Sequence, residues 1–209
     1  MMSGKRWGYV VQFFCLLVFL GMSPFLIKMD GRKTMSVSSD SVRSQNVSDE
    51  VKPVVALTFD DGPNASSTPI LLDGLKERKV RATFFLIGEN VEKDENEKIV
   101  KRMYEEGHLI GNHTYTHCNL SKLETGEAKK ELEQTDTVIE KITGKQPVFV
   151  RAPYGELPVD SEQDLNRIYI GWTVDPLDWM TEDTGAVVKT VVEEINPGDV
   201  ILLHDCYPS

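Results

Sequence analysis

The sequence predicts an α/β domain on a parallel sheet with helices outside it, either rolled into a barrel or open. Three observations lead there. From Pro53 onward, short apolar runs alternate with segments of helical period. Stop signals follow three of the helical segments: Gly107, Gly144 and the trio Asn196-Pro197-Gly198. Residues able to carry chemistry fall just past the ends of the apolar runs, where parallel α/β folds gather their sites.

The elements follow in order. Residues 54–59 are β-branched and apolar and feed the turn Asp60-Asp61-Gly62-Pro63, so they read as a buried strand. Residues 68–79 read as a helix, 83–87 as a strand, and 95–106 as a helix closed by Gly107. A strand over 109–112 precedes His113. The helix at 126–143 carries Ala128, Leu132, Ile139 and Ile142 on one face and stops at Gly144. Strands are expected at 148–151, 169–174 and 200–203, with a helix over 184–195. The stretch between Gly155 and Tyr169 is short for a helix and holds Pro158.

Ahead of the domain the composition changes twice. Residues 7–27, WGYVVQFFCLLVFLGMSPFLI, hold no charge and follow Lys5 and Arg6. That length fits a membrane span better than a signal-peptide core, so residues 1–29 are expected to be a cytoplasmic stub with an uncleaved anchor, a cleaved signal being the alternative. Residues 30–52 are polar and aperiodic, a linker. The domain then spans 53–209. A formal charge of −10 over 209 residues argues against nucleic acid as a partner. A single-pass membrane protein and a monomer is the expectation; Lys28, Arg32 and Lys33 after the span leave its orientation to the functional reading, which favours the domain outside the cell.

His113 and His117 are four apart, a spacing that lets both rings meet one metal on a curled loop. A carboxylate from Asp60 or Asp61 would complete a three-ligand set. Such a set leaves a position for water, the mark of a catalytic rather than a structural metal. The other Asp of the pair could then serve as base, and His204 as the acid for a leaving group. Nitrogen and oxygen ligands suit zinc, with cobalt or nickel also fitting. His108 matches no ligand position and reads as structural. Cys118 and Cys206 each sit beside a motif; they could pair in a disulfide or stand as two unrelated thiols.

In chain order, Thr-Phe-Asp-Asp-Gly-Pro, His-Thr-x-x-His, Arg-Ala-Pro-Tyr-Gly, Asp-Pro-Leu-Asp-Trp and Leu-Leu-His-Asp resemble the polysaccharide deacetylases of carbohydrate esterase family four. The five motifs cover 54–205, and the wording of 171–179 is similar to that of bacterial peptidoglycan N-acetylglucosamine deacetylases. The resemblance implies a distorted (β/α) barrel with fewer than eight units and a metal-dependent removal of acetyl groups from a cell-wall glycan. It implies Asp60 as base, Asp61, His113 and His117 as metal ligands, and Thr114 as support for the histidine loop. It further implies Arg151 as partner of the base, Asp175 as the acid that orients His204, and His204 as proton donor. By the same likeness the Tyr154 backbone N–H helps hold the oxyanion, and Trp179 and Leu202 wall the acetyl methyl group. The chain stops at Ser209, short of the closing helix and strand that the family implies. The apolar faces of the first and last strands are therefore expected to be uncovered and His204 to sit on a frayed end. Chitooligosaccharides or acetylated xylan are alternative substrates, and an inactive wall- or metal-binding remnant is the non-enzymatic alternative.

Overall fold

The computed structural model describes residues 54–206 apart from 94, 160, 162, 163 and 165; the expected anchor at 7–27 and linker at 30–52 lie outside the described residues. Six parallel strands, β1 (Ala56–Asp60), β2 (Thr83–Leu86), β3 (Leu109–Asn112), β4 (Phe149–Val150), β5 (Ile168–Tyr169) and β6 (Val200–His204), form one curled sheet in the order β5-β4-β3-β2-β1-β6. Five α-helices among the described residues accompany them: α1 (Thr68–Arg78), α2 (Gly88–Val91), α3 (Asn96–Glu105), α4 (Thr125–Thr143) and α5 (Thr184–Glu194). No helix among the described residues is long and apolar enough to cross a membrane.

The core lies between the central strands and α1, α3 and α4. Phe59 stacks on Phe84 with ring centroids 5.3 Å apart. Leu72, Val100, Met103 and Ile139 close over them from the helices. Helix α3 presents Ile99, Val100 and Met103 to this core at helical spacing. Helix α4 ends where Gly144 takes a left-handed φ of 73° and its N–H meets Glu140 O, as the stop signal requires.

The predicted strand at 169–174 divides in two. Its start, with Ile168, pairs with β4, whereas Val174 bridges Ile201 of β6. One chain segment therefore touches both edges of the sheet. The edge of β6 is met by this segment: Thr173 N and Val174 N donate to Val200 O, and Leu202 N donates to Val174 O. The expected frayed His204 is also corrected. It pairs in register with Asp60 of β1, and its side chain is 13% exposed. His108 takes the structural place expected of it, buried, with Nδ1 accepting from Ala82 N at 3.1 Å.

Candidate metal and proton-transfer site

The site assembles at the C-terminal end of the sheet. In the parallel β1–β6 pair Thr58 lies opposite Leu202 and Asp60 opposite His204. Alternation along each strand puts all four side chains on the same face. Past β1 the chain turns through Asp61 at φ 71°. Gly62 follows because no larger residue fits: a Cβ there would lie 2.3 Å from Asp205 Oδ1.

Asp61 Oδ1 stands 3.3 Å from His113 Nε2 and 3.2 Å from His117 Nε2. These three residues are the group of acid and imidazole side chains, among the described residues, able to hold a metal ion. Asp60 lies farther off, its Oδ2 3.8 Å from His113 Nε2, and its Oδ1 is taken by Arg151 at 2.8 Å. Geometry thus separates two carboxylates that spacing alone left interchangeable.

The donor set fits a cation. Asp61 Oδ1 is buried without a hydrogen-bond partner. His113 Nδ1 is 2.7 Å from the Arg151 carbonyl, which can only accept, so Nδ1 carries the proton. In the neutral ring Nε2 is then a bare lone pair facing a carboxylate oxygen, an arrangement that a shared cation or a second proton must relieve. Burial pushes the Asp61 carboxyl up, but the close approach and charge of the two histidine rings prevail and hold it well below the usual carboxylate range.

Arg151 is fully buried behind this cluster. Its Nη1 donates to Asp60 and, at 2.7 Å, to Thr58 Oγ1; Nε and Nη2 donate to the carbonyls of Ile170 and Gly171 at 3.3 and 3.0 Å. Burial draws the guanidinium below its ordinary pKa against the pull of Asp60. The Phe85 ring, 4.3 Å away, covers its face.

His204 is oriented by Asp178, not by Asp175. Its Nδ1 is 2.8 Å from Asp178 Oδ1, and its backbone N–H donates to Asp178 Oδ2, also at 2.8 Å. The cause is the turn: Leu177 takes a left-handed φ of 56°, which brings Asp178 back over β6. Asp175 is spent locally, accepting from Leu177 N at 2.9 Å. Burial draws the His204 pKa down, but the hydrogen bond and charge of Asp178, aided by Asp61 and Asp60, raise it above the ordinary histidine value.

Leu202 is buried on the His204 face of β6, whereas Trp179 is half exposed on the single turn that carries Asp178. Tyr154 takes a left-handed φ of 62°, and its ring meets His117 edge-on with Oη 3.3 Å from Nδ1, a side-chain contact the motif did not disclose. Thr114 sits in the histidine loop with φ 65°, fully buried. It supports the loop through its backbone rather than its hydroxyl, since Oγ1 is without a hydrogen-bond partner. Cys118 and Cys206 are both free thiols. Cys206 Sγ lies 3.8 Å from Asp61 Oδ2. Beyond the motifs, Asn112 lies at the base of the histidine loop, accepting from Thr114 N and donating to Asp136 Oδ1 at 2.6 Å. Position gave no signal for it beyond a buried Asn at a strand end.

A curled parallel sheet with this donor cluster at the ends of its strands defines an α/β protein with a candidate metal site. The polysaccharide deacetylase family matches residues 48–170. The chain is 44% identical over 156 residues to a peptidoglycan-N-acetylglucosamine deacetylase of Bacillus cereus, covering 73% of this chain and 56% of the relative. It is 39% identical over 160 residues to a chitooligosaccharide deacetylase of Bradyrhizobium, covering 74% and 71%. The solved structure of the peptidoglycan deacetylase PdaC of Bacillus subtilis superposes with a TM-score of 0.72 at 39% identity, over 76% of this chain and 78% of that one. The chain belongs to the polysaccharide deacetylase family. It spans just over half the length of the Bacillus cereus relative.

Proposed function

We propose that this protein hydrolyses the N-acetyl groups of aminosugars in peptidoglycan, releasing acetate and leaving free amines. The observation that carries the reading is the register match of Asp60 with His204, which sets two proton-transfer groups on neighbouring strands beside the Asp61–His113–His117 cluster. The names of the relatives support the glycan, because they include a peptidoglycan deacetylase at the highest identity quoted above.

A divalent metal held by Asp61, His113 and His117, with zinc the best match to these ligands, would polarise the amide carbonyl and acidify water beside it. Asp60, aimed by Arg151, takes a proton from the attacking water. Oxygen adds to the carbonyl carbon, and the Tyr154 backbone N–H donates to the developing oxyanion. His204 then gives its Nε2 proton to the sugar nitrogen as the C–N bond breaks. Asp178 holds the Nδ1 proton and stabilises the imidazolium beforehand. Trp179 and Leu202 flank the acetyl methyl. A catalytic domain outside the cell, held by residues 7–27, would meet this substrate.

Acetate release from N-acetylated peptidoglycan by the full chain tests the reading. Release that a chelator stops, zinc restores and Asp60→Asn abolishes is the expected result. A folded, zinc-loaded chain that releases no acetate from peptidoglycan overturns the peptidoglycan assignment; release from chitooligosaccharides or acetylated xylan instead would move the proposal to that glycan.

A further inference from the structure

We infer that Glu131, which lies outside all five motifs, is a positioning residue that holds the histidine loop in its metal-binding shape. The inference rests on reading Asp61, His113 and His117 as a metal site. The loop between the two histidines is costly to form. Thr114 and His117 both take left-handed backbone, at φ 65° and 58°, which side-chain-bearing residues avoid. Neighbouring elements must therefore over-determine it.

They do so from two sides. On one side the carbonyls of Thr114 and Tyr115 accept from Gly88 N and Glu89 N of α2, both at 3.0 Å. On the other, Tyr115 N and Thr116 N both donate to the single oxygen Glu131 Oε2, at 3.0 and 2.8 Å. Thr116 Oγ1 adds contacts of 3.2 Å to each carboxylate oxygen. Two successive N–H groups converge on one anion only when the backbone curls as this loop does; along an extended strand they point to opposite sides. The loop is tightly sandwiched: a Cβ on Gly88 would fall 2.4 Å from the Tyr115 ring and 2.9 Å from Thr135 Oγ1.

Helix α4 supplies the second side as one face. Residues 131, 132, 135 and 136 share it by helical spacing. Asn112 Nδ2 donates to Leu132 O and Asp136 Oδ1, which fixes the foot of the loop. Glu131 fixes its crown. The α2 contacts are made by backbone and survive substitution of Glu131. The Glu131 contacts are made by one side chain and do not. Partners behind metal ligands ordinarily govern affinity by about ten- to a hundredfold.

The test is zinc affinity of the full chain, measured by competition with a chromophoric chelator, together with the absorption spectrum of the cobalt-loaded protein. Glu131→Ala is expected to weaken zinc about ten- to a hundredfold and to alter the cobalt spectrum. Glu131→Gln, whose carbonyl still accepts, should retain most of the affinity. Glu133→Ala, on the same helix and paired only with exposed Lys129, should bind as the parent does. If Glu131→Ala does not fold, Glu131→Met keeps the apolar stem, loses the acceptor and carries the same expectation. Parental affinity in a folded Glu131→Ala or Glu131→Met chain overturns the inference, even where its metal-free melting temperature drops. A parent that binds zinc no better than His113→Ala overturns the metal reading itself, a separate failure.

Discussion

The two flanks of this sheet hold reactive groups by different means. On the β1–β4 flank Asp60 and His113 are each 3% exposed and Arg151 is fully buried. Every donor of the Arg151 fork that the site uses has an acceptor, drawn from β1 and from the chain beyond β5. On the β5–β6 flank, β5 has two residues and α5 has no buried side chain, with Val188 and Val192 55% and 68% exposed. His204 rests there on Asp178, carried by a single turn. The contrast follows from the work each flank is given. A charge removed from water is tolerated only inside a complete network, so Asp60 and its arginine demand full enclosure. In the proposed reaction His204 regains its proton from solvent after each turnover, so looser and more local support suffices.

The largest effect should come from breaking the enclosed flank. Arg151→Met leaves the buried Asp60 carboxylate uncompensated. A loss of about 3–5 kcal/mol in unfolding free energy is expected from chemical denaturation, with acetate release down by at least about a hundredfold. Arg151→Lys should not rescue activity. One ammonium cannot reach Asp60, Thr58 and the carbonyls of Ile170 and Gly171 together as the planar fork does. An active, stable Arg151→Lys chain would mean that enclosure by apolar packing, not the fork, governs this flank.

A smaller effect belongs to the looser flank. Asp178→Asn is expected to slow acetate release by about tenfold or more with little loss of stability. An amide cannot accept from both the His204 backbone N–H and its Nδ1–H. Its sign in pH is definite. Asp178 raises the His204 pKa, and in the proposed reaction His204 must be protonated to donate. Removing the carboxylate lowers that pKa, so the alkaline limb of the pH–rate profile moves to lower pH. Asp175→Asn should leave the limb where it is, since Asp175 only accepts from Leu177 N. A shift with Asp175→Asn and none with Asp178→Asn would reverse the assignment.

Much of this site was legible because parallel topology delivers strand ends to one rim. Asp60, Asp61, His113, Arg151 and His204 each follow or end an apolar run, and the sheet order brings them together. What was not legible depends on chain reversals and docking. The run at 169–174 reads as one strand, and no period-2 pattern records that its start pairs with β4 and Val174 with β6. Asp175 and Asp178 both follow that run; the left-handed Leu177 decides between them, and a leucine does not advertise that conformation. Glu131 reads as the solvent side of an amphipathic helix, because what it meets is a loop that folds onto it from sixteen residues upstream.

The smallest effect concerns the seam between the flanks. Asp205 follows β6, and its N–H donates to Asp60 O at 3.3 Å. Its Oδ2 accepts from Thr68 Oγ1 at 2.6 Å at the start of α1, and its carbonyl accepts from Ser67 Oγ. Burial, opposed by the Thr68 hydrogen bond and aided by the charge of Asp61, pushes its carboxyl up to about 7. An unfolded Asp titrates near ~3.9. Between these values the folded chain binds the extra proton, so stability falls as pH rises from about 4 to about 7 and levels off above. Asp205→Asn keeps the shape and removes the titration. In melts of the metal-free chain from pH 5 to 8, the parent should lose several degrees more than this variant, what about two to three kcal/mol would give in a domain of this size. The His204–Asp178 pair contributes with the same sign, because a raised histidine pKa also gives stability that is lost as pH rises, but its window opens only above the ordinary histidine value of about 6.5. A fall concentrated below pH 7 and absent from Asp205→Asn locates the proton at the seam. A fall above pH 7 that persists in Asp205→Asn and disappears in Asp178→Asn locates it on the looser flank.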